Sequence, residues 1–498
     1  MIKNNRVLKE RNNFRGIAPS LTTGWCPAGC TSLLLHPFRE CRFSTDAKAC
    51  LILLAMKQTL VSLLIIFHLA GPLCAQQKSP NARKMLAITN VTIIDTKGGL
   101  VRHDMTIVID DGRIDAVGKS NKIKIRRDAQ VINAAGKFLI PGLWDMHVHI
   151  GNDDFDKNSY LQLFIANGVT GIRIMNGTPT HHLWRREIES GTLLGPRMVI
   201  ASRIIDGPNS FVAGAVKVGN VEEARAAVRK AKEEGADFVK VHDTLTRETY
   251  FAIIDEAKQL GLLVEGHVPA AVTAKEASDA GQKSIEHFTG LAQAEIDPAE
   301  ADTLIAIFKK NHTWNCPTII MRNNYAVLDD RSLANDPRLR YVKPSWRNSW
   351  LSMTDRSGSV PAAEWAGRRE TVRREKALVG RFQKAGVGIL AGTDDISPYV
   401  MPGFSLHDEL RLLVESGLTP MEALQSATLN PAKFFNQLAS FGSVEEGKFA
   451  DLVLLNANPL GDISNTTKIS AVVINGRFLD RQQLDGILAE IEAAANKK

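Results

Sequence analysis

Two histidines early in the chain have the spacing of metal ligands. His147 and His149 stand in the stretch Asp145–His149, shortly after Pro141. In a β-strand, residues two apart face the same side of the sheet, so both imidazoles can bind one metal ion. Imidazole nitrogen is a common ligand of zinc and related divalent ions. The pattern therefore predicts a bound metal ion.

Four more candidate ligands stand at the ends of predicted strands. Lys240, His267 and His287 follow one another at intervals of about one strand–helix unit, and Asp394 ends a strand that begins at Val387. Chemistry in a parallel barrel lies at the carboxyl ends of its strands. We therefore expect these side chains to meet the two histidines in one site, from strands four, five, six and eight.

Such a set of side chains suits hydrolysis with two divalent ions. Two ions roughly 3.5–4 Å apart can share a bridging hydroxide, one lowering the pKa of the water and the other polarising a carbonyl group. A neighbouring carboxylate can take the proton and pass it to the leaving amine. Lys240 does not fit as an ammonium group, because an ammonium repels a cation. As a carbamate formed with carbon dioxide, it would bridge two ions.

The elements that position these residues alternate between apolar strands and charged helices. This α/β rhythm predicts a TIM-type (β/α)8 barrel over residues 142–439. Between about 323 and 369 the rhythm stops. That segment is rich in tryptophan (Trp346, Trp350 and Trp365) and predicts an inserted helical excursion that can serve as a lid.

Short β-branched runs stand at both ends of this central region. Residues 85–141 and 440–480 predict a small β-sandwich domain built jointly by the two ends of the chain. Residues 481–498 predict a C-terminal helix. The two ends of the chain should therefore meet beside the barrel.

Several of these segments together resemble the amidohydrolase superfamily. They are Pro141–His149, Lys240, Gly266–Pro269, Ile285–His287 and Gly392–Asp394. The branch that they resemble is the group of imidazolonepropionase-like proteins and Xaa-Pro dipeptidases. The likeness extends over nearly all of the chain after residue 86, and the order of its motifs is specific.

The resemblance implies a role for each candidate ligand. His147 and His149 would bind one ion, and His267 and His287 would bind the other. Carboxylated Lys240 would bridge two divalent ions, with zinc as the expected element. Asp394 would bind the first ion and act as the catalytic proton shuttle.

Two further residues are candidates for substrate binding. His242 stands two positions after Lys240 and should face the same side, although a surface loop would explain it equally well. Arg173, on the second predicted strand, can meet a substrate carboxylate or form a salt bridge inside the barrel. Cys316 has no evident histidine partner, and we expect a buried, inert thiol.

The net charge of +7 does not indicate nucleic-acid binding, because most of it lies at the front of the chain. Nine of the 61 basic residues and three of the 54 acidic residues precede Gln76. The remainder of the chain is nearly neutral. Five of the six cysteines also precede Gln76, so only Cys316 belongs to the main body.

Residues 56–76 have the order of a secretory signal peptide. A basic start at Met56-Lys57 leads into an apolar run and then into small residues before Gln76. We expect residues 1–55 to be a non-native or disordered extension; the alternative keeps Met1 as the start, with residues 51–70 as a membrane anchor. Lipid attachment at Cys74 is a further alternative. The signal-peptide interpretation predicts a periplasmic or secreted protein without a membrane span after cleavage.

The predicted activity is metal-dependent hydrolysis of an amide or other C–N bond in a small molecule. Xaa-Pro dipeptides, N-acyl amino acids and cyclic amides are the candidate substrates. A lactonase or phosphoester hydrolase on the same site is an alternative, since the same hydroxide attacks other electrophiles. A third hypothesis is a non-catalytic scaffold of the same fold, but the complete set of candidate ligands argues against it. The sequence leaves open whether the chain forms a homo-oligomer.

Overall fold

The computed structural model describes residues 85–292, 295 and 297–497. The expected extension, the signal peptide and Cys74 lie outside the described residues. Within these residues the protein is a mixed α/β structure with two parallel sheets and one larger mixed sheet. No helix in this part of the chain is both long enough and apolar enough to cross a membrane.

Both ends of the described chain contribute strands to the mixed sheet. Its strands are β1 (Leu86–Asp95), β2 (Leu100–Asp110), β3 (Arg113–Lys119), β4 (Gln130–Asn133), β5 (Phe138–Pro141), β15 (Leu452–Leu455), β16 (Ile469–Ile474) and β17 (Arg477–Asp480). The order is β17-β16-β15-β5-β1-β2-β3, and β4 also pairs with β1. The two ends of the chain join in one hydrogen-bonded sheet, because β5 pairs with β15 on one side and with β1 on the other; the β-sandwich packing of this domain stays a prediction.

Local sequence explains how this sheet forms. Asp111 and Gly112 both adopt positive φ, at 44° and 75°, which suits the two-residue hairpin turn between β2 and β3. The β-branched and leucine side chains of β1, β2 and β15 form a buried core on this sheet, including Ile93, Ile107 and Leu452.

The parallel strands form the centre of the protein. One sheet consists of β6 (Leu143–Val148), β7 (Val169–Ile174) and β8 (Arg197–Ile200). The other consists of β9 (Ile205–Asp206), β10 (Val216–Lys217), β11 (Phe238–Val241), β12 (Leu263–Gly266), β13 (Ser284–Glu286) and β14 (Trp314–Cys316), in the order β10-β9-β11-β12-β13-β14. Segment 387–395, expected as a strand, makes only single parallel bridges through Ile389 to Asn315 and through Asp395 to Val148. A further single bridge joins Ala201 to Phe238.

Helices separate most of the parallel strands. They are α1 (Leu161–Ala166), α2 (Pro179–Ser190), α3 (Val221–Glu233), α4 (Arg247–Gln259), α5 (Ala274–Ala280), α6 (Pro298–Asn311), α7 (Ile319–Ala326), α8 (Pro344–Ser357), α9 (Ala362–Ala385), α10 (Phe404–Glu415), α11 (Pro420–Ser426), α12 (Leu429–Phe434) and α13 (Arg481–Ala495). A π-helix (Asp156–Tyr160) and three 3-10 helices (Arg331–Asn335, Pro337–Tyr341 and Ile463–Thr467) complete the set. Side-chain caps such as Thr246 on α4 and Thr273 on α5 fix where these helices begin.

The tryptophan-rich segment has a small core of its own. Trp350 on α8 and Trp365 on α9 are both buried, and they pack with Tyr399 and Met401 from the loop after the metal-ligand candidate Asp394. These contacts hold the segment against the carboxyl ends of the parallel strands. The insertion is therefore anchored beside the candidate site.

Candidate metal centre

Five of the six predicted metal ligands line one cavity of about 400 Å³, and the sixth, His147, lies at its base. The residues that line the cavity are His149, Lys240, His267, His287 and Asp394. Asp394 Oδ1 lies 3.3 Å from His147 Nε2 and 3.1 Å from His149 Nε2. The ring centres of His147 and His287 are 4.4 Å apart, and those of His267 and His287 are 5.0 Å apart. The structure thus brings the predicted set together.

Three of the imidazoles are oriented by hydrogen bonds on the side away from the cavity. His147 Nδ1 lies 2.8 Å from Glu286 Oε2, and His267 Nδ1 lies 2.7 Å from Asp243 Oδ1. His287 Nδ1 lies 2.6 Å from Thr318 Oγ1. Partners of this kind fix the tautomer of a ligand histidine and aim its other nitrogen at the metal.

Two buried nitrogen atoms in this group lack a hydrogen-bond partner. They are His147 Nε2 and Lys240 Nζ. Leaving a buried polar atom unpaired costs free energy, so such atoms call for an explanation in a folded protein. Here both belong to predicted ligands, and donor atoms of His147, His287 and Asp394 lie within 4.8 Å of one another. The chemistry of this donor set fits a divalent cation.

His242, Asp243 and His267 form a second group of potential ligands. Asp243 Oδ1, however, is already engaged by His267 Nδ1, and His242 Nδ1 lies 3.2 Å from Asp206 Oδ2. We therefore assign Asp243 and Asp206 to orienting the two rings. His242 itself borders the cavity, with its ring centre 4.1 Å from that of His267.

The electrostatics of the buried groups favour the protonation states that bind metal. Burial and, after it, the charge of Lys240 together lower the pKa of His267 to about 4. Burial also holds the pKa of His147 and of His287 well below the ordinary value. These imidazoles are therefore neutral near pH 7, which is the form that coordinates a cation. Burial lowers the pKa of Lys240 to about 8, although Glu286 and Asp394 oppose that effect.

Glycines allow two close approaches in the site. A Cβ atom at Gly266 would lie 2.3 Å from the Val241 carbonyl oxygen and 3.0 Å from Lys240 Cδ. A Cβ atom at Gly392 would lie 2.5 Å from Cys316 Sγ and 2.9 Å from His147 Cβ. Cys316 is buried as expected, and its Sγ lies close to Gly392.

Three residues of the site adopt the left-handed backbone region without being glycine. The φ angles are 56° at His287, 60° at Asp394 and 48° at Thr318. Such conformations cost roughly 1–3 kcal/mol each and persist only where the surroundings enforce them. Two of these residues are predicted ligands, and the third orients one of them. The backbone is therefore strained at the positions that aim side chains into the cavity.

Arg173 lies beneath the cavity and is fully buried. Its guanidinium group donates to Glu265 at 2.6 Å and to Glu286 at 2.9 Å, and its Nε donates to the Met146 carbonyl oxygen. This corrects the expectation of a substrate contact: the side chain has no exposed surface, and two buried carboxylates occupy its donors. Because Glu286 also holds His147, Arg173 acts as a positioning residue.

Sequence reasoning missed most of the residues that orient the ligands. Glu286 directly precedes His287, but nothing in the spacing showed that it would face His147. Asp145 accepts hydrogen bonds from the backbone N–H groups of His147 and Thr393. It thereby connects the segment that carries His147 and His149 to the segment that carries Asp394. Thr318 follows a strand without any recognisable signal. These roles depend on contacts between distant parts of the chain.

Comparison with known proteins identifies the family of the chain. Residues 138–479 match the model of the amidohydrolase family. Ochratoxinase of Aspergillus niger is 27% identical over 423 residues, covering 72% of this chain and 79% of the relative.

Two solved structures share the fold. A protein assigned as a prolidase from Bifidobacterium longum has 26% identity and a TM-score of 0.67, covering 82% of this chain and 99% of its own. A bottromycin amidohydrolase has 25% identity and a TM-score of 0.69, covering 86% of this chain and 94% of its own.

A convergent set of histidines and a carboxylate at the ends of parallel strands is typical of hydrolases. The family match covers well over half of the sequence, and the chain belongs to the amidohydrolase family. It is accordingly a hydrolase that acts on carbon–nitrogen bonds of a small-molecule substrate.

Proposed function

We propose that the protein is a metal-dependent amidohydrolase with two divalent ions, zinc being the expected element. The observation that carries this proposal is the convergence of four histidines, Asp394 and the unpartnered Lys240 Nζ at one cavity. His147, His149 and Asp394 would hold one ion, and His267 and His287 the other. Lys240, as a carbamate formed with carbon dioxide, would bridge them.

We also propose that the parallel strands close into an eight-stranded barrel. The single bridges from Ala201 to Phe238, from Asn315 to Ile389 and from Asp395 to Val148 support this closure, because they connect the two parallel sheets on both sides. Closure would place all six ligands at one rim. That position agrees with the usual site of chemistry in such barrels.

The side chains of the site divide the work of hydrolysis between them. Divalent ions bound there would polarise the carbonyl oxygen and lower the pKa of water. Asp394 accepts a proton from the attacking water and donates it to the leaving nitrogen, which breaks the C–N bond. Ser397 donates a hydrogen bond to Asp394 Oδ2 at 3.0 Å and holds the carboxylate in place. His242 borders the substrate side of the cavity and would contact the substrate.

The names of the similar proteins narrow the range of substrates. They are an ochratoxinase, a protein assigned as a prolidase and a bottromycin amidohydrolase. We infer that the substrate here is an Xaa-Pro dipeptide, an N-acyl amino acid or a cyclic amide. A cavity of about 400 Å³ is of a size that suits such small molecules.

A substrate panel tests this function. Protein purified after loading with zinc or manganese in the presence of bicarbonate should hydrolyse at least one member of a panel of dipeptides and N-acyl amino acids. Treatment with a chelator should abolish the turnover, and added metal should restore it. Turnover of lactones or phosphotriesters alone would contradict the assignment to amide bonds.

We further propose that the protein is periplasmic or secreted. The basic, apolar and small-residue order of residues 56–76 supports this proposal. N-terminal sequencing of the mature protein should give a start near Gln76. A mature protein that begins at Met1 would contradict it.

A further inference from the structure

A second cavity, of about 690 Å³, adjoins the metal cavity. It lies between α7, α8 and α9, and its wall is mostly apolar, with Leu328, Met353 and Trp365 among the lining residues. Arg356 and Arg368 also line it, and they donate to Ser352 and to Glu364 respectively. Met321, Arg322 and Tyr325 border both this cavity and the metal cavity. The two spaces therefore meet along one stretch of α7.

Arg322 is a fixed cation at this junction. Its guanidinium group contacts the carboxylate of Glu375 at 2.5 Å, and the Glu375 side chain is fully buried. The Arg322 side chain keeps 37% of its surface exposed. A buried carboxylate thus anchors one edge of the guanidinium, and the rest remains accessible from the cavities. A held guanidinium of this kind recognises carboxylates well, because its donors match the two oxygens.

Tyr325 stands where the cavities join. It borders the metal cavity, the α7–α9 cavity and a third space lined by Trp346 and Trp350, and 40% of it is exposed. A group attached to a substrate at the metal centre therefore reaches the α7–α9 cavity by passing Tyr325 and Arg322. An extended substrate would meet a cation first and an apolar wall beyond it.

We propose that the α7–α9 cavity is a substrate subsite, which receives a bulky apolar group while Arg322 binds a carboxylate of the same molecule. The substrate class is then an amide that carries both a free carboxylate and a large apolar or aromatic group. This inference rests on the proposed amidohydrolase function and makes its substrate more specific. It is carried by the shared wall of the two cavities and by the anchored guanidinium.

Filling the cavity tests the apolar part. Thr371 on α9 lines it, and its hydroxyl donates to the Gly367 carbonyl oxygen one turn earlier. Wild-type kcat/KM for N-naphthoylglycine or N-acetyltryptophan should exceed that for N-acetylglycine roughly tenfold or more. Thr371→Trp should remove that preference by lowering kcat/KM for the bulky substrates much more than for N-acetylglycine.

Thr303 supplies a matched control for the substitution. It is a helical threonine that makes the same bond to the carbonyl four residues earlier, on α6 and outside the cavity. Thr303→Trp should keep the preference for bulky substrates. Equal loss on small and bulky substrates in Thr371→Trp, or no loss on either, would overturn the subsite.

Removing the Arg322 cation tests the recognition of the carboxylate. Arg322→Gln alone leaves Glu375 buried and unpaired, so the double variant Arg322→Gln/Glu375→Gln is the better test. It should lower kcat/KM for the carboxylate substrates by roughly 10- to 100-fold and should not affect their carboxamide analogues. An equal loss on both forms would exclude Arg322 from substrate recognition.

The failure of this inference can be distinguished from that of the function. If the metal-loaded wild type hydrolyses amides without preference for bulk or for a carboxylate, the subsite is wrong and the function stands. If it hydrolyses none of the dipeptides, N-acyl amino acids and cyclic amides, both are overturned.

Discussion

Asp394→Asn should lower kcat by roughly 10²- to 10⁴-fold, the usual contribution of a positioned acid–base group. Asparagine retains the size of the side chain and an oxygen that can accept the hydrogen bond from Ser397. It cannot accept a proton and return it to the leaving nitrogen. The chemical step should therefore fail while substrate affinity changes little. Steady-state kinetics alongside metal analysis of the same sample measure both.

Metal content separates this result from the loss of a ligand. If Asp394→Asn retains its metal and loses turnover, the proton-transfer role stands. Asp408→Asn is the matched control, since Asp408, on α10, pairs with Arg338 and is absent from the cavity lining. It should leave kcat unchanged. Undiminished turnover in Asp394→Asn would remove Asp394 from proton transfer.

Arg173→Met should lower the free energy of unfolding by about 3–5 kcal/mol, the cost of breaking a buried ion pair from one side. Methionine fills similar space but leaves Glu265 and Glu286 buried without their cation. Burial already raises the pKa of Glu265 to about 7, even with Arg173 opposing it. Urea unfolding followed by circular dichroism measures the loss.

The triple variant Arg173→Met/Glu265→Gln/Glu286→Gln provides the control. It removes all three charges, so most of the lost stability should return. The affinity of the triple variant for metal should nevertheless be lower than that of the wild type, because the Glu286→Gln side chain is a weaker hydrogen-bond partner for His147 than a carboxylate. If the free energy of unfolding of Arg173→Met equals that of the wild type, the buried ion pairs of Arg173 with Glu265 and Glu286 do not stabilise the protein.

The convergence of the residues that we propose as metal ligands could be predicted because their signals are local. His147 and His149 are two apart in the sequence, one in β6 and the other directly after its end, and His267, His287 and Asp394 each stand where an apolar run ends. The structure places all of them at one cavity. The alternating pattern likewise predicted the parallel strands and the helices between them.

The rest depended on contacts between residues far apart in the chain. The sequence allows Arg173 either a substrate carboxylate or a salt bridge inside the barrel, and only the structure shows that it faces two buried glutamates. Thr318, which lies 31 residues after His287, contacts His287 from a left-handed backbone position that no sequence signal marks. The way in which the two ends of the chain join in one sheet depended on which strands pair with β5. Periodicity does not determine such pairings.

The metal content of the wild type and of Lys240→Ala tests the central claim most directly. The wild type, loaded in bicarbonate, should bind two divalent ions per chain, as expected for a bridged pair. Lys240→Ala should bind fewer ions and lose turnover, because the bridge is gone. A wild type that binds no divalent ion, or a Lys240→Ala variant with unchanged metal content and activity, would contradict the account.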